Sequence, residues 1–123
     1  MEQDTPFDER EPTREEIDAL RGSVVLEFGA SWCPHCQALR PQLAALLEKY
    51  PAVRHIKVED GRGKSLGRSF RVKLWPTLVF LRDGQVLGQV SRPEGDEVRE
   101  GLDASSQLAA IRAELSRINF DAL

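Results

Sequence analysis

Two cysteines stand three residues apart in the sequence Cys33-Pro34-His35-Cys36, and the 123-residue chain has no others. Two thiols at this spacing on the first turn of a helix come within disulfide range, and the helix N-terminus directs its partial positive charge at the first sulfur. The thiolate is the form that attacks disulfides. Cys33 is therefore the candidate nucleophile, and Cys36, one turn deeper, is the candidate resolving thiol.

Other uses of a Cys-x-x-Cys pair stay open at this point. A zinc site needs two further ligands, and the chain offers only His35 and His55, whose places on a helix turn and on a strand suit a tetrahedral site poorly. An open thiolate site for copper or an iron–sulfur cluster is a second alternative. Two buried cysteines that act as small apolar side chains are a third, although Trp32 and Pro34 beside the pair indicate a surface turn. We expect no metal and no cofactor.

Composition narrows the class of protein. The net charge of −3 argues against a nucleic-acid partner, and two cysteines cannot form a disulfide framework. The longest apolar runs, Val24–Leu26 and Leu78–Leu81, are too short to cross a bilayer. The first residues lack the basic and apolar regions of a signal peptide. We therefore expect a cytoplasmic monomer that binds neither nucleic acid nor membrane.

Eight helices and strands are expected around the cysteine pair. Residues 1–12 are acidic and are predicted to be a flexible arm, and residues 13–123 are predicted to form one domain. Thr13 and Glu16 form a capping-box pattern at the start of the first helix. Apolar spacing then predicts the order helix, strand, helix, strand, helix, strand, strand, helix on Thr13–Gly22, Val24–Phe28, Pro34–Tyr50, Val53–Val58, Arg62–Lys73, Thr77–Leu81, Val86–Val90 and Leu108–Ile118.

This order predicts an α/β sandwich with helices on both faces of one sheet. Two βαβ crossovers would give parallel strands, and the Asp83-Gly84 turn would add an antiparallel hairpin. Residues 91–106 are polar, with at most a turn of helix around Val98 and Leu102, and are interpreted as a link to the last helix.

The stretch from Val25 to Cys36 and the sequence Trp75-Pro76-Thr77, which begins 42 residues after Cys33, together resemble the thioredoxin family. Pro41 falls where the family's second helix is kinked. The resemblance implies the thioredoxin fold, a mixed sheet of about four strands flanked by helices on both faces. It also implies a thiol–disulfide oxidoreductase that exchanges the disulfides of client proteins through a Cys33–Cys36 couple, with no cofactor and with an electron donor such as a thioredoxin reductase.

The resemblance assigns roles to further residues. Pro76, in the cis form, would lie against the sulfur of Cys33, and the peptide of Trp75 would pair with an extended client strand, so that Trp32, Trp75 and Pro76 bind substrate. Glu27 stands where the family has a buried acid beneath the disulfide. Burial favours the protonated form of a carboxyl group, and Glu27 is the expected proton shuttle for Cys36.

His55 is aligned with a lysine that faces this acid in many family members. A histidine there would make the pair with Glu27 sensitive to pH near neutrality, and an exposed strand histidine is the alternative.

Three departures from the family pattern affect the functional interpretation. Pro34-His35 resembles the dipeptide of DsbA-type oxidases, and a protonated His35 would stabilise the Cys33 thiolate and make the disulfide more oxidising. Gly29 replaces a frequent second tryptophan, and Ser91 a glycine that opens the client groove. The alternatives to a thioredoxin-like activity are therefore a DsbA-like oxidase or isomerase, and a thioredoxin-fold module that binds a partner or metal without turnover.

Overall fold

The computed structural model describes residues 11–106. Its elements are α1 (Arg14–Asp18), β1 (Ser23–Gly29), α2 (Pro34–Leu47), β2 (Arg54–Glu59), α3 (Leu66–Ser69), β3 (Thr77–Arg82), β4 (Gln85–Ser91) and α4 (Gly95–Ser105). The predicted helix from Leu108 to Ile118 lies outside the described residues, as do residues 1–10 of the predicted arm. None of the helices within residues 11–106 is long and apolar enough to cross a membrane.

The last acid of the predicted arm is in contact with α3. Glu11 Oε1 accepts a hydrogen bond from the backbone N–H of Ser65 at 3.3 Å, and its Oε2 accepts one from Leu66 at 3.2 Å. The capping box predicted at Thr13 and Glu16 is present at the start of α1. The Glu11 hydrogen bonds hold the chain that enters α1 against the start of α3, and the capping box closes the first turn of α1 itself.

The four strands form one mixed sheet in the order β2-β1-β3-β4, which confirms the predicted fold class. β1 is parallel to β2 and antiparallel to β3, so the prediction of a second parallel crossover is wrong. The reason is the length of α3, which has four residues or about 6 Å of helix, against six residues or about 20 Å of strand in β2. Since α3 cannot return the chain along β2, β3 starts at the sheet end where β2 finishes.

The interpretation of residues 91–106 as a link is also wrong, because most of this segment is α4. Val98, Leu102 and Ser105 are fully buried at helical spacing and pack one face of α4 onto the sheet. The capping box of α4 uses Glu94 with Glu97. Glutamate is not among the preferred N-cap residues, so the sequence carried a weak start signal.

Two apolar layers cover the two faces of the sheet. α1 and α3 cover one face, with a core of Ile17, Val24, Leu26, Phe28, Val58, Leu66, Phe70, Val79 and Leu81. α2 and α4 cover the other, with a core of Val25, Leu39, Leu43, Leu46, Leu78, Phe80, Val98 and Leu102. Every residue of β1 is buried. Because side chains alternate along a strand, Glu27 shares the α2 face with Val25.

The predicted hairpin between β3 and β4 is confirmed. Asp83 and Gly84 adopt positive φ values of 51° and 81°, as a tight two-residue turn requires. β3 therefore carries the chain away from the cysteine end of the sheet, and β4 returns it to that end at Ser91, opposite Thr77.

Candidate active site

The cysteine pair lies at the start of α2, where β1 has just ended. Cys33 is the N-cap residue with extended backbone, Pro34 occupies the first helical position, and Cys36 lies in the first turn. The relative accessibility is 5% for Cys33 and 2% for Cys36. The two thiols form a small cluster with Ala30 and the half-buried Trp75.

Cys33 is the more acidic of the two thiols. Burial opposes its ionisation, but the backbone N–H and the thiol of Cys36, the backbone N–H of His35 and the positive charge of Arg92 together outweigh burial and lower the pKa of Cys33. The backbone N–H groups are those that the helix start leaves without helical partners.

Cys36 has the opposite tendency. Burial, the thiol and charge of Cys33 and the negative charge of Glu27 raise the pKa of Cys36 to about 11, against a smaller lowering by a backbone hydrogen bond from Ala30. At neutral pH the first thiol is therefore the better source of thiolate, and the second keeps its proton. The Cys36 proton must leave before its sulfur can attack.

Glu27 lies under α2 in the interior of the protein. Its relative accessibility is 3%, and its Oε1 lies 2.7 Å from Nε2 of His55, whose side chain is 13% accessible. The structure therefore brings His55 to Glu27, and the alternative of an exposed strand histidine is wrong.

A buried lysine completes this group, and sequence reasoning missed it. Lys57 is 4% accessible and is paired in register with Glu27 across β1 and β2. It follows His55 by two residues, so both side chains lie on the sheet face that Glu27 shares. The alternation of His55, Lys57 and Glu59 with apolar residues was the signal that could have found it.

A cavity of about 80 Å³ reaches this buried group from the side of α2. Its lining is mixed, with polar side chains from Glu27, His55, Arg40 and Glu48 and apolar ones from Leu43, Ala44 and Leu47. Its volume is large enough for water. Glu27 therefore borders a water-sized opening whose lining includes neither cysteine.

The segment before β3 faces the cysteines. The Trp75–Pro76 peptide bond is cis, and Pro76 is buried. The indole of Trp75 packs edge-on against that of Trp32 with ring centroids 5.5 Å apart, and its Nε1 donates a hydrogen bond to Oδ2 of Asp60 at 2.8 Å. Trp32 itself is 68% accessible, so an aromatic surface adjoins the nucleophile.

His35 is exposed on the first turn of α2. Its backbone N–H helps to lower the pKa of Cys33, and a role of its imidazole in stabilising the thiolate stays a prediction. The cation that acts on the Cys33 thiolate is Arg92, which the sequence analysis did not single out. Among residues 11–106, no group of three or more histidine, cysteine or acidic side chains is placed to hold a metal ion.

Residues 7–105 match the family model described as Thioredoxin. The chain belongs to the thioredoxin family.

Similar proteins agree with this assignment. The structure resembles that of thioredoxin 2 from Pseudomonas aeruginosa in its reduced form, with 50% identity and a TM-score of 0.72 over 81% of this chain and 94% of that one. Thioredoxin Asp f 28 from Aspergillus fumigatus is 39% identical over 79 residues, 64% of this chain and 71% of the relative. A structure on thiol resolution in yeast mitochondrial 1-Cys peroxiredoxin via glutathione/thioredoxin systems matches with 27% identity and a TM-score of 0.66, covering 73% of this chain and 84% of that one.

Membership makes this thioredoxin-family protein a protein-disulfide oxidoreductase, as predicted, and the family carries no cofactor because its redox group is the disulfide itself. Gly29, where thioredoxins often have a second tryptophan, is one departure from the thioredoxin pattern. The indole that donates a hydrogen bond to Asp60 is that of Trp75.

Arg92, which directly follows β4, has a left-handed backbone with φ of 49°, a conformation that favours glycine. Arg92 Nε donates a hydrogen bond to the carbonyl oxygen of Trp75 at 2.9 Å, and its backbone N–H donates to that of Pro76 at 2.7 Å.

Proposed function

We propose that this protein is a thioredoxin-like reductase of protein disulfides, in which Cys33 attacks the client and Cys36 resolves the mixed disulfide. The observation that carries this proposal is the opposite displacement of the two thiols, with the pKa of Cys33 lowered and that of Cys36 raised to about 11. A nucleophile must be ionised when the client binds, and a resolving thiol must stay protonated until the mixed disulfide has formed.

The reaction consists of two exchanges. The Cys33 thiolate attacks one sulfur of the client disulfide, forms a mixed disulfide and releases the first client thiolate. Cys36 then loses its proton and attacks the Cys33 sulfur, which releases the second client thiolate and leaves the Cys33–Cys36 disulfide. The client gains two electrons, the cysteine pair loses two, and a dithiol donor must reduce the pair again.

Glu27 is the proposed acceptor of the Cys36 proton. It is buried beside the pair, and its negative charge is one of the groups that raise the pKa of Cys36. A carboxylate that disfavours the Cys36 thiolate is relieved when it takes the proton itself. His55 and the cavity beside α2 are the proposed route by which Glu27 returns that proton to water.

Client binding is assigned to Trp32, Trp75 and Pro76. Trp32 and the neighbouring Leu74, which is 47% accessible, expose apolar surface around a nucleophile that is itself nearly covered. An extended client segment beside Trp75 would place its disulfide over Cys33 and bury this surface. The exposed aromatic area then contributes binding free energy without selecting one client sequence.

We propose the reductase direction because the similar proteins are thioredoxins, among them thioredoxin 2 from Pseudomonas aeruginosa at 50% identity. The alternative DsbA-like oxidase would need a stronger stabilisation of the Cys33 thiolate than a thioredoxin has. Equilibration of the pair with glutathione measures the reduction potential, which we expect near −270 mV, the value typical of thioredoxin. A potential near −120 mV would support the oxidase instead.

The proposed partners are client protein disulfides and a thioredoxin reductase or another dithiol donor. The similar structure concerned with a peroxiredoxin and the thioredoxin system supports protein clients. We propose a monomer in the cytoplasm, since a reductase needs a reducing compartment to be recharged. Coupled oxidation of NADPH with a purified thioredoxin reductase tests the donor, and cell fractionation tests the compartment.

Trapping tests the order of attack. A Cys36→Ser variant should accumulate a mixed disulfide with a client through Cys33, and mass spectrometry of the adduct identifies the sulfur that carries it. A Cys33→Ser variant should neither reduce nor trap the client. Trapping through Cys36 in the Cys33→Ser variant, with turnover retained, contradicts the proposed roles.

A further inference from the structure

A pocket of about 160 Å³ opens next to the nucleophile, between the first two turns of α2 and the segment that joins β4 to α4. His35, Leu39 and Gln42 line it from α2, and Pro76 and Arg92 line it from the opposite side. Its lining includes a guanidinium, an imidazole and an amide but no carboxylate. We call it the Arg92 pocket.

Arg92 is held in place at this pocket by the loop that precedes β3. Its Nε donates to the carbonyl oxygen of Trp75 at 2.9 Å and its backbone N–H to that of Pro76 at 2.7 Å. A guanidinium has five N–H donors, and the bond to Trp75 uses one. Within residues 11–106, no carboxylate forms an ion pair with Arg92.

The charge of Arg92 also acts on the reacting sulfur, since it is one of the groups that stabilise the Cys33 thiolate. That stabilisation ends when Cys33 enters the mixed disulfide, because the sulfur is then neutral. The Arg92 guanidinium is then available to bind an anion of the client. Its interaction with such an anion is therefore stronger in the mixed disulfide than in the free thiolate state.

We propose that the Arg92 pocket binds the carboxylate of an acidic side chain that lies one or two residues from the client cysteine under attack. This inference rests on the proposed function and names its substrate class. Arg92 lines the pocket while its charge acts on Cys33, and His35 lines it two residues after Cys33. An extended chain advances about 3.3 Å per residue, so only near neighbours of the client cysteine reach the pocket.

The chemistry of the lining suits a carboxylate. A guanidinium pairs with a carboxylate through parallel N–H bonds, and the Gln42 amide and the His35 imidazole supply further donors. The volume corresponds to about five waters, which is room for one short side chain. A lysine at the same client position meets Arg92 and is repelled, so the pocket selects against basic flanks as well as for acidic ones.

The test uses three peptide disulfides that differ at one position beside the cysteine, which is Glu, Gln or Lys, with the reduced protein regenerated by a chemical dithiol. We expect the wild type to reduce the Glu peptide with a kcat/KM about fivefold above that of the Gln peptide, the effect of one exposed charge pair, and the Lys peptide more slowly. The ratio between peptides cancels any change in the reactivity of Cys33 itself.

Two substitutions at Arg92 and one control complete the design. Arg92→Gly suits the left-handed backbone and should bring the Glu/Gln ratio close to one, whereas Arg92→Lys should restore part of the preference. Arg62→Gln removes the same charge from an exposed residue that does not line the pocket and should leave the ratio as in the wild type.

Equal kcat/KM values for the Glu and Gln peptides in the wild type overturn the pocket assignment and leave the reductase proposal standing. A Glu preference that survives Arg92→Gly overturns it as well. Failure of the wild type to reduce any of the three peptides overturns the proposed function and, with it, the inference that depends on it.

Discussion

Nε2 of His55 lies 2.7 Å from Oε1 of Glu27. The contact gives the buried carboxylate a polar partner, which a group with 3% accessibility needs in the absence of bulk water. It also joins Glu27 to the cavity that Arg40 and Glu48 line. Proton release from the active site can therefore proceed on the α2 side while a client covers the cysteine surface.

Replacing Glu27 by Gln should slow the resolving step and spare the attacking one. The amide keeps the size of the side chain but cannot accept the Cys36 proton, and loss of a positioned proton acceptor costs roughly 100-fold or more. Rapid mixing with a quenched-disulfide client resolves the formation and the decay of the mixed disulfide. Glu100→Gln, an exposed glutamate of α4 that does not line the cavity, is the matched control and should leave both phases unchanged.

The two thiols should alkylate in separate pH ranges. Iodoacetamide should modify Cys33 selectively near neutral pH, and Cys36 should react only as the pH approaches about 11. Arg92→Gly should raise the pKa of Cys33 and reduce its alkylation rate at pH 7 roughly two- to fivefold, the effect of one exposed charge. Mass spectrometry of the modified peptides assigns the sites. Equal rates for the two sulfurs at pH 7 would contradict the assignment of Cys33 as nucleophile.

The reduced protein should lose stability in alkali through Cys36. Its pKa rises from an ordinary value of 9.0 to about 11 in the fold, so the folded state binds more protons between these pH values. Stability therefore falls as the pH rises from 9.0 to about 11. Urea unfolding of the reduced wild type and of Cys36→Ser, at matched pH values, isolates the contribution. A free-energy difference between the two that is constant over this range is the result that contradicts it.

Adding one methyl group to α4 should destabilise the fold at one glycine and not at another. A Cβ on Gly101 would lie 2.3 Å from Cε2 of Phe80, whereas a Cβ on Gly95 meets nothing within 4 Å. Gly101→Ala should therefore lower the free energy of unfolding by roughly 1–3 kcal/mol, as overpacking does. Gly95→Ala, on the first turn of the same helix, is the control. Thermal or urea unfolding of both variants decides, and a stabilised Gly101→Ala protein would show that α4 does not pack as described.

Local pattern was sufficient for most of the fold and for the centre of the site. The capping box at Thr13, the apolar run of β1 and the Asp83-Gly84 turn each express a rule of short range, and each was predicted. The direction of β3 and the presence of α4 were missed. The first depends on how far α3 carries the chain, and the second on a buried stripe at Val98 and Leu102 within a mostly polar segment.

The side chains of the candidate active site also divide into those that local sequence predicts and those that it does not. Cys33 and Cys36 are adjacent on one helix turn, so their spacing is visible in the sequence. Lys57 and Arg92 act from other strands and loops, and their relevance appears only when the β1–β2 register and the backbone at φ of 49° are known. A single sequence does not contain this long-range geometry.

The antiparallel pairing of Phe28 with Thr77 has a consequence for variation of the site. It fixes the residues just before the cysteines and just after Pro76 to each other through main-chain hydrogen bonds, which impose no requirement on side-chain identity. The exposed side chains that meet the client can therefore be substituted without disturbing the alignment of β1 with β3. A library confined to Trp32 and Leu74 would sample client preference while it keeps Arg92, whose charge acts on Cys33, in place.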